Sequence, residues 1–491
     1  MQIKLSRALN GNSIIQDGFG LSFVEIEQLL AFTRVYSLQA GTFLVIEQAA
    51  IESLEEKTLQ LIDQEELNHI IIIGQKAEIV PLDTSVIYFE TEDEFIRSGL
   101  FETTHDKYFM LKGNKRFLFD KSLGVFSRRS HKTALMVDLE QISQNVRTFR
   151  QKLSSGTKLM VMVKAFAYGA GGVEISKWLQ HQLVDYLAVA FIDEGIELRQ
   201  NGIELPIMVM SPGVDDAHLL KKYDLEPEVY DLRQLVQYVE NYQVTDQAIP
   251  IHIMINTGMN RLGFDEDQID DIIRLIKSNE QVQVKSLMTH LAAADNIKER
   301  VFTVAQNEQF MKIARQLETS LHISPLLHSL NSSGIRNYPE YQLDMVRLGI
   351  GMHGVGTDEK TKLRFPASLK TTITQIRNVP KGATIGYGRV GKANKPLRIA
   401  TIPIGYADGY LRAFGNGNAY VTINGEKVRT IGSICMDMTM LDITGIDVQI
   451  EDEVTLFGSS PTIEELAEWS ATIPYEIITN ISSRVQRVFY R

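Results

Sequence analysis

Lys164 ends the apolar run Leu159–Val163 and is followed by AFAYGAGG, with Tyr168 four residues on. An amine at the carboxyl end of such a strand, before a small glycine-rich turn, stands where α/β folds gather their chemistry. Further along come Arg261, His290, the hydroxyl-rich Asn331-Ser332-Ser333 and the run Arg347-Leu348-Gly349-Ile350. A lysine, cations, hydroxyls and glycines on one rim suit an anionic, carbonyl-bearing ligand. A lysine amine forms an imine with an aldehyde cofactor, of which pyridoxal phosphate is the common one, and its phosphate asks for hydroxyls and backbone N–H groups. For the lysine segment taken alone, a strand-end side chain that simply reaches solvent is the competing reading.

The elements that must position these residues have a regular beat from about 142 to 353. Short apolar strands fall at Lys158–Lys164, Tyr186–Phe191, Pro206–Met210, Leu225–Tyr230, Ile251–Asn256, Lys285–His290, Leu326–Leu330 and Met345–Ile350. Between them lie helical stretches such as Asp193–Asn201, Leu232–Asn241, Asp267–Ser278 and Val304–Glu318. Eight strands alternating with helices predict an α/β fold of the (β/α)₈ TIM-type barrel, with its active site at the carboxyl ends of the strands. An open doubly wound sheet is the alternative, and no early glycine fingerprint supports it. Ser332, Gly349 and Ile350 fall after strands seven and eight, where barrels commonly hold phosphate.

Before the barrel, residues 1–128 read as a small α/β domain, with helices at Val24–Tyr36 and Glu52–Gln64 and strands at His69–Gly74, Val86–Phe89 and Tyr108–Lys112. After it, residues 366–491 lose the helical beat and gain turn residues, so an all-β domain is expected. Asn424-Gly425 between Tyr420–Ile423 and Lys427–Ile431 signals a tight hairpin. The division is thus 1–128, 129–365 and 366–491.

Bulk properties narrow the function. A net charge of -11 with interspersed signs argues against a nucleic-acid partner. The single cysteine, Cys435, excludes an intrachain disulfide framework and a cysteine-cluster metal site, suits a reducing compartment, and reads as a buried small residue. Without a signal-peptide pattern or a membrane-length apolar run, a cytoplasmic protein with no membrane partner is expected. No metal site is expected. The segment Gly386–Ala393, GYGRVGKA, imitates both Gly-x-Gly-x-x-Gly and a phosphate loop, but no strand-turn-helix unit frames it.

Eight motifs in order carry a family resemblance: VKAFAYGAGG, NTGMNRLGF (256–264), MTHLAAAD (288–295), LNSSG (330–334), MVRLGIGMHG (345–354), IGYGRV (385–390), IGYADG (404–409) and SICMDMTMLD (433–442). From about residue 131 to 491 this series resembles alanine racemase. The resemblance implies an isomerase that interconverts L- and D-alanine for peptidoglycan synthesis. Lys164 carries pyridoxal phosphate as an imine and is one of two bases; Tyr387, from the partner subunit of a homodimer, is the other. Arg347 faces the pyridine nitrogen, buttressed by His290. Tyr168, Ser332 and the backbone of Gly349 and Ile350 hold the phosphate. Arg261 and the Met436 main chain orient the substrate carboxylate, and Tyr406 and Asp437 line the entrance. His328 and His353 are taken as structural.

Several positions depart from the common pattern. Phe166 and Ala170 replace Asn and His, Ser483 replaces another phosphate-binding tyrosine, and Met254 stands where many members carry a carbamylated lysine that positions the arginine seven residues on. An anion such as chloride or a rearranged network is expected to stand in. Residues 66–136, and more faintly 10–65, are similar to the C-terminal domain of the Mur ligase that adds D-Ala-D-Ala, as in ligase-racemase fusions; Tyr108–Phe119 and Ser130-His131-Lys132-Thr133 carry the likeness. The rival readings are a weakly catalytic docking or regulatory partner of a separate Mur ligase, a racemase that also accepts serine, and a barrel decarboxylase, against which Arg347 argues.

Overall fold

The computed structural model describes residues 3–491 apart from 9, 17–20, 38–40, 66, 75–81, 114–118, 120–121, 123–131, 214, 216, 243–247 and 357–362. Ser130 and His131 of the ligase-like run therefore lie outside the described residues. The chain forms two compact units, one of residues 1–140 and 366–491, the other of residues 141–365.

The second unit is the barrel. Its strands are Lys158–Met162, Tyr186–Val189, Ile207–Val209, Glu226–Val229, Ile249–Met254, Val282–Met288, Leu326–His328 and Met345–Leu348, each parallel to its hydrogen-bonded neighbours in ring order. The last gap is bridged by two backbone bonds, Asp344 N–H to the Leu327 carbonyl at 3.1 Å and Arg347 N–H to the Leu330 carbonyl at 2.9 Å. Helices cover the outside with one apolar stripe each. In Ile269–Lys277, for example, Ile269, Ile272, Ile273 and Ile276 are buried at helical spacing. The eight strands match the sequence expectation, though each ends a residue or more earlier than the apolar run suggests.

The first unit is built on a twelve-stranded sheet. From one edge it runs Glu426–Arg429, Tyr420–Ile423, Glu453–Phe457, Ala367–Thr372, Ala134–Asp138, Gln486–Tyr490, Lys4–Arg7, Ser13–Gln16, Tyr108–Lys112, Thr42–Glu47, His69–Ile73 and Val86–Phe89. The small α/β region and the β-rich region are therefore joined through one antiparallel pairing, Lys4–Tyr490, Leu5–Phe489 and Ser6–Val488. Ala134–Asp138 belongs to this sheet and not to the barrel, pairing with Ala367–Lys370 on one side and Gln486–Tyr490 on the other. Where the sequence reading divides the chain in three, its contacts divide it in two. The reason is that Lys4–Arg7 is a short polar-flanked strand whose partner lies at the other end of the chain.

Beside that sheet, a three-stranded sheet holds Gln375–Val379, Leu397–Ile402 and Thr439–Asp442. The expected hairpin is present as Tyr420–Ile423 and Glu426–Arg429, with Asn424 and Gly425 at φ 51° and 83°, the left-handed pair that a two-residue turn requires. GYGRVGKA spans the small hairpin of Thr384–Ile385 with Gly391–Lys392. Among the described residues no helix is long and apolar enough to cross a membrane.

Candidate active site

Lys164 lies two residues beyond the first barrel strand, after Val163, and is largely withdrawn from water. Burial and the nearby Arg261 guanidinium push its amine below the ordinary lysine value, against the pull of Glu228 and Glu194. The four residues after it, Ala165, Phe166, Ala167 and Tyr168, stand at φ 51°, 58°, 49° and 56°, one left-handed turn of non-glycine residues. Each such residue costs about 1–2 kcal/mol, so the turn persists only because its surroundings hold it. Ala165 N–H donates to Glu194 Oε1 at 2.6 Å, Ala167 N–H to the Val163 carbonyl at 2.8 Å and Gly171 N–H to the Phe166 carbonyl at 2.9 Å. The result turns Tyr168 back, buried, toward the eighth strand.

There Gly349 receives it. A Cβ on Gly349 would lie 2.5 Å from the Tyr168 hydroxyl, so only glycine leaves room. Ser332 Oγ accepts from the N–H groups of Gly349 and Gly351 at 2.9 and 3.2 Å. Tyr168, Ser332, Gly349 and Ile350 thus come together after strands seven and eight. The Tyr168 ring also packs on His353, 5.3 Å between centroids.

Arg347, inward on the eighth strand, is fully enclosed. Its Nη1 donates to His328 Nδ1 at 2.8 Å and to the His328 carbonyl at 3.1 Å; its Nη2 donates to the carbonyls of Thr289 and Ser329 at 2.7 and 3.0 Å. Burial lowers its pKa to about 10, which leaves it charged at neutral pH. The histidine that buttresses Arg347 is therefore His328, not His290. Because a guanidinium only donates, His328 Nδ1 must accept, and the rest of the chain follows in one direction. His328 Nε2 reaches Ser286 Oγ at 2.8 Å, Ser286 Oγ reaches His252 Nδ1 at 2.7 Å, and His252 Nε2 reaches Glu226 Oε2 at 2.9 Å. These side chains fill the barrel interior with one connected polar chain. From sequence His328 reads as a structural histidine in an apolar strand, and its inward register is what brings it to Arg347.

His290 lies two residues beyond the sixth strand, half-buried, with its Nδ1 enclosed and unpartnered among the described residues. Burial and then Arg347, Arg261 and Lys164 press its pKa down to about 3, so it is neutral. Arg261 sits exposed on a loop held by its own bonds: Asn256 Nδ2 donates to Asn260 Oδ1 at 3.0 Å and Asp265 Oδ1 at 2.8 Å, while Asn256 Oδ1 accepts from Asn260 N–H at 3.0 Å. Met254 is buried, as an apolar side chain in a barrel should be.

In the first unit the remaining residues share a face. Tyr387 is 73% exposed on the 384–392 hairpin, and its carbonyl accepts from Ser433 Oγ at 3.5 Å. Tyr406 N–H donates to the Cys435 carbonyl and Ala407 N–H to that of Met436, both at 3.1 Å. Tyr406 and Met436 are exposed beside them. Asp437 pairs with Arg484, 2.6 Å, which also binds the buried Asp408 at 2.6 Å. Cys435 is half-buried, and that burial raises its thiol pKa.

Residues 137–357 match the family model described as alanine racemase, N-terminal domain, and residues 367–489 match alanine racemase, C-terminal domain. The chain is 36% identical over 373 residues to the alanine racemase of Methanococcus maripaludis, covering 73% of this chain and 99% of the relative. It is 36% identical over 370 residues to that of Clostridium tetani, covering 72% and 94%. Among solved structures, the alanine racemase of Clostridium difficile 630 superposes with a TM-score of 0.69 at 34% identity, over 74% of this chain and 96% of that one. The enzyme from Bartonella henselae, with covalently bound pyridoxal phosphate, gives 0.66 at 26% identity, over 73% and 99%.

Proposed function

The chain belongs to the alanine racemase family, and from that premise we propose that it interconverts L- and D-alanine with pyridoxal phosphate, using Lys164 and Tyr387 as its two bases. The observation that carries this reading is the withdrawn Lys164 amine on the same barrel rim as the Gly349 cradle and the enclosed Arg347. The residues suit the cofactor. Where Tyr168, Ser332 and Gly349 converge, a Cβ would collide with a hydroxyl, and His290 Nδ1 is an orphaned buried polar atom. Lys164 would hold the aldehyde carbon, Tyr168, Ser332, Gly349 and Ile350 the phosphate, and Arg347 the ring nitrogen. When bound, pyridoxal phosphate supplies the electron sink for the charge left as the α-proton departs.

The chain's own residues do the rest. A lysine whose pKa is lowered by burial is more often neutral, hence ready to take a proton. Racemisation also demands delivery of a proton on the opposite face, and a tyrosine hydroxyl can both give and take one. Arg347, with four hydrogen bonds to fixed acceptors, cannot swing away or accept a proton. Arg261 would bind the substrate carboxylate, with the Met436 main chain beside it, and Tyr406 and Asp437 would line the entrance. The exposure of Tyr387, Tyr406 and Met436 supports a homodimer in which these residues serve the partner's site.

We assign residues 1–128 a docking or scaffolding role in peptidoglycan synthesis, on their similarity to a Mur ligase C-terminal domain, and the protein a cytoplasmic location. Chiral analysis of alanine after incubation with protein and cofactor tests the activity. Wild type should convert either enantiomer to the mixture, and Lys164→Ala should lose at least about 10³-fold of the rate together with the cofactor's visible absorbance. No D-alanine from L-alanine at any cofactor concentration sinks the racemase reading.

A further inference from the structure

The barrel strand Glu226–Val229 carries two acids two residues apart, so both point to the same, inner face. Glu226 is accounted for by His252 at 2.9 Å and by Lys285 at 4.0 Å. Glu228 is different. It is 2% exposed, and its Oε2 has no hydrogen-bond partner among the described residues. Its cross-strand neighbour is His252, whose ring is committed to Glu226 and Ser286. A buried carboxylate oxygen left without a hydrogen-bond partner is costly, so the fold keeps it for some compensation.

That compensation is charge. Arg347, Arg261 and Lys164 all act on the Glu228 carboxyl, and Glu228 in turn supports the protonated forms of Lys164 and Arg347. Glu194 also acts on Lys164, but its oxygens already have donors, Oε1 from Ala165 N–H and Oε2 from Ala190 N–H and Phe191 N–H, whereas Glu228 Oε2 has none among the described residues. On the adjacent strand Met254 brings no charge.

We propose that Glu228 is a positioning residue, a buried anion built into the fourth barrel strand that balances Lys164, Arg261 and Arg347 and holds Arg261 toward the substrate carboxylate. Burial drives its carboxyl up to about 7 against the downward pull of Arg347, Arg261 and Lys164. The groups facing it are Lys164, Arg261, Arg347, His252 and Tyr230. The Arg261 half of the proposal rests on the racemase reading; the Lys164 half does not.

The test is peptide-resolved labelling of Lys164 by an amine-directed reagent across pH, on the full chain freed of cofactor, alongside KM and kcat for alanine on the loaded enzyme. With Glu228→Gln the labelling midpoint should fall by about one pH unit, and Glu228→Asp should restore most of it. KM should rise roughly 5- to 10-fold with kcat within about threefold. If Glu228→Gln does not fold, Glu228→Met, neutral and of similar volume, takes its place. An unchanged or higher midpoint overturns the proposal, and an unchanged KM overturns its Arg261 half. A wild type without racemase activity would defeat the functional reading while leaving the labelling result to stand for Glu228.

Discussion

Arg347 depends on His328 as much as on its own charge. Replacing His328 with Leu, which neither donates nor accepts, leaves the guanidinium short of an acceptor and breaks the relay to Ser286, His252 and Glu226. Loss of about 1–3 kcal/mol of stability is expected in urea denaturation, with kcat reduced more than KM is raised, because the change lies behind the cofactor and not at the substrate carboxylate. Stability equal to wild type would show that the relay contributes nothing. His353 allows a pH prediction. Burial lowers its pKa from 6.5 to about 4, and both ring nitrogens lack partners among the described residues. The unfolded chain binds a proton there more readily than the folded chain between these values, so stability falls as pH drops from about 6.5 to 4. His353→Asn should make that part of the stability-pH curve shallower, and a curve of unchanged slope would contradict the assignment.

At the scale of elements, the site is an agreement between the left-handed turn after the first barrel strand and the backbone after the eighth. Gly349→Ala tests the agreement directly, since the new Cβ meets the Tyr168 hydroxyl at 2.5 Å. Overpacking of this kind costs about 1–3 kcal/mol. If that cost falls on the cofactor-binding geometry, binding of pyridoxal phosphate, followed by absorbance titration, should weaken about 5- to 150-fold. The double variant Gly349→Ala with Tyr168→Phe removes the oxygen in the way and should recover folding stability more than cofactor affinity, because the hydroxyl is also a phosphate ligand in our reading. Recovery of both to wild type would mean that Tyr168 does not touch the cofactor.

Across the whole molecule, the proposed division of labour between subunits can be read by mixing two inactive chains. Lys164→Ala and Tyr387→Phe, each poorly active alone, should regain up to about a quarter of wild-type activity after subunit exchange, since half the dimers are mixed and each mixed dimer has one intact site. No recovery after exchange confirmed by sedimentation would remove the shared-site claim. The twelve-stranded sheet adds a constraint at the same scale. The chain's last strand, Gln486–Tyr490, has Ala134–Asp138 on one side and Lys4–Arg7 on the other, so the N-terminal region is part of the unit's core sheet and not an appendage.

What the sequence by itself determined was the set of elements and most of the chemistry. Eight buried strands with helices between them announce a barrel because burial on both faces removes polar alternation, and the roles we propose for Lys164, Tyr168, Ser332, Arg347 and Gly349 are read from motifs short enough to be local. Three matters belonged to the tertiary structure. One was which histidine meets Arg347, because the apolar runs before His290 and His328 look alike, and only the structure shows that His328 ends its strand with its ring on Arg347 while His290 lies two residues beyond Met288. Another was Glu228, one of two acids in the short strand Glu226–Val229, whose burial without a hydrogen-bond partner for Oε2 among the described residues appears only once the barrel encloses it. The last was the joining of Lys4–Arg7 to Gln486–Tyr490, whose paired residues lie 482 to 486 positions apart, which no local pattern encodes. In each case the deciding quantity is a contact between residues far apart in the chain, and local propensity carries no information about such contacts.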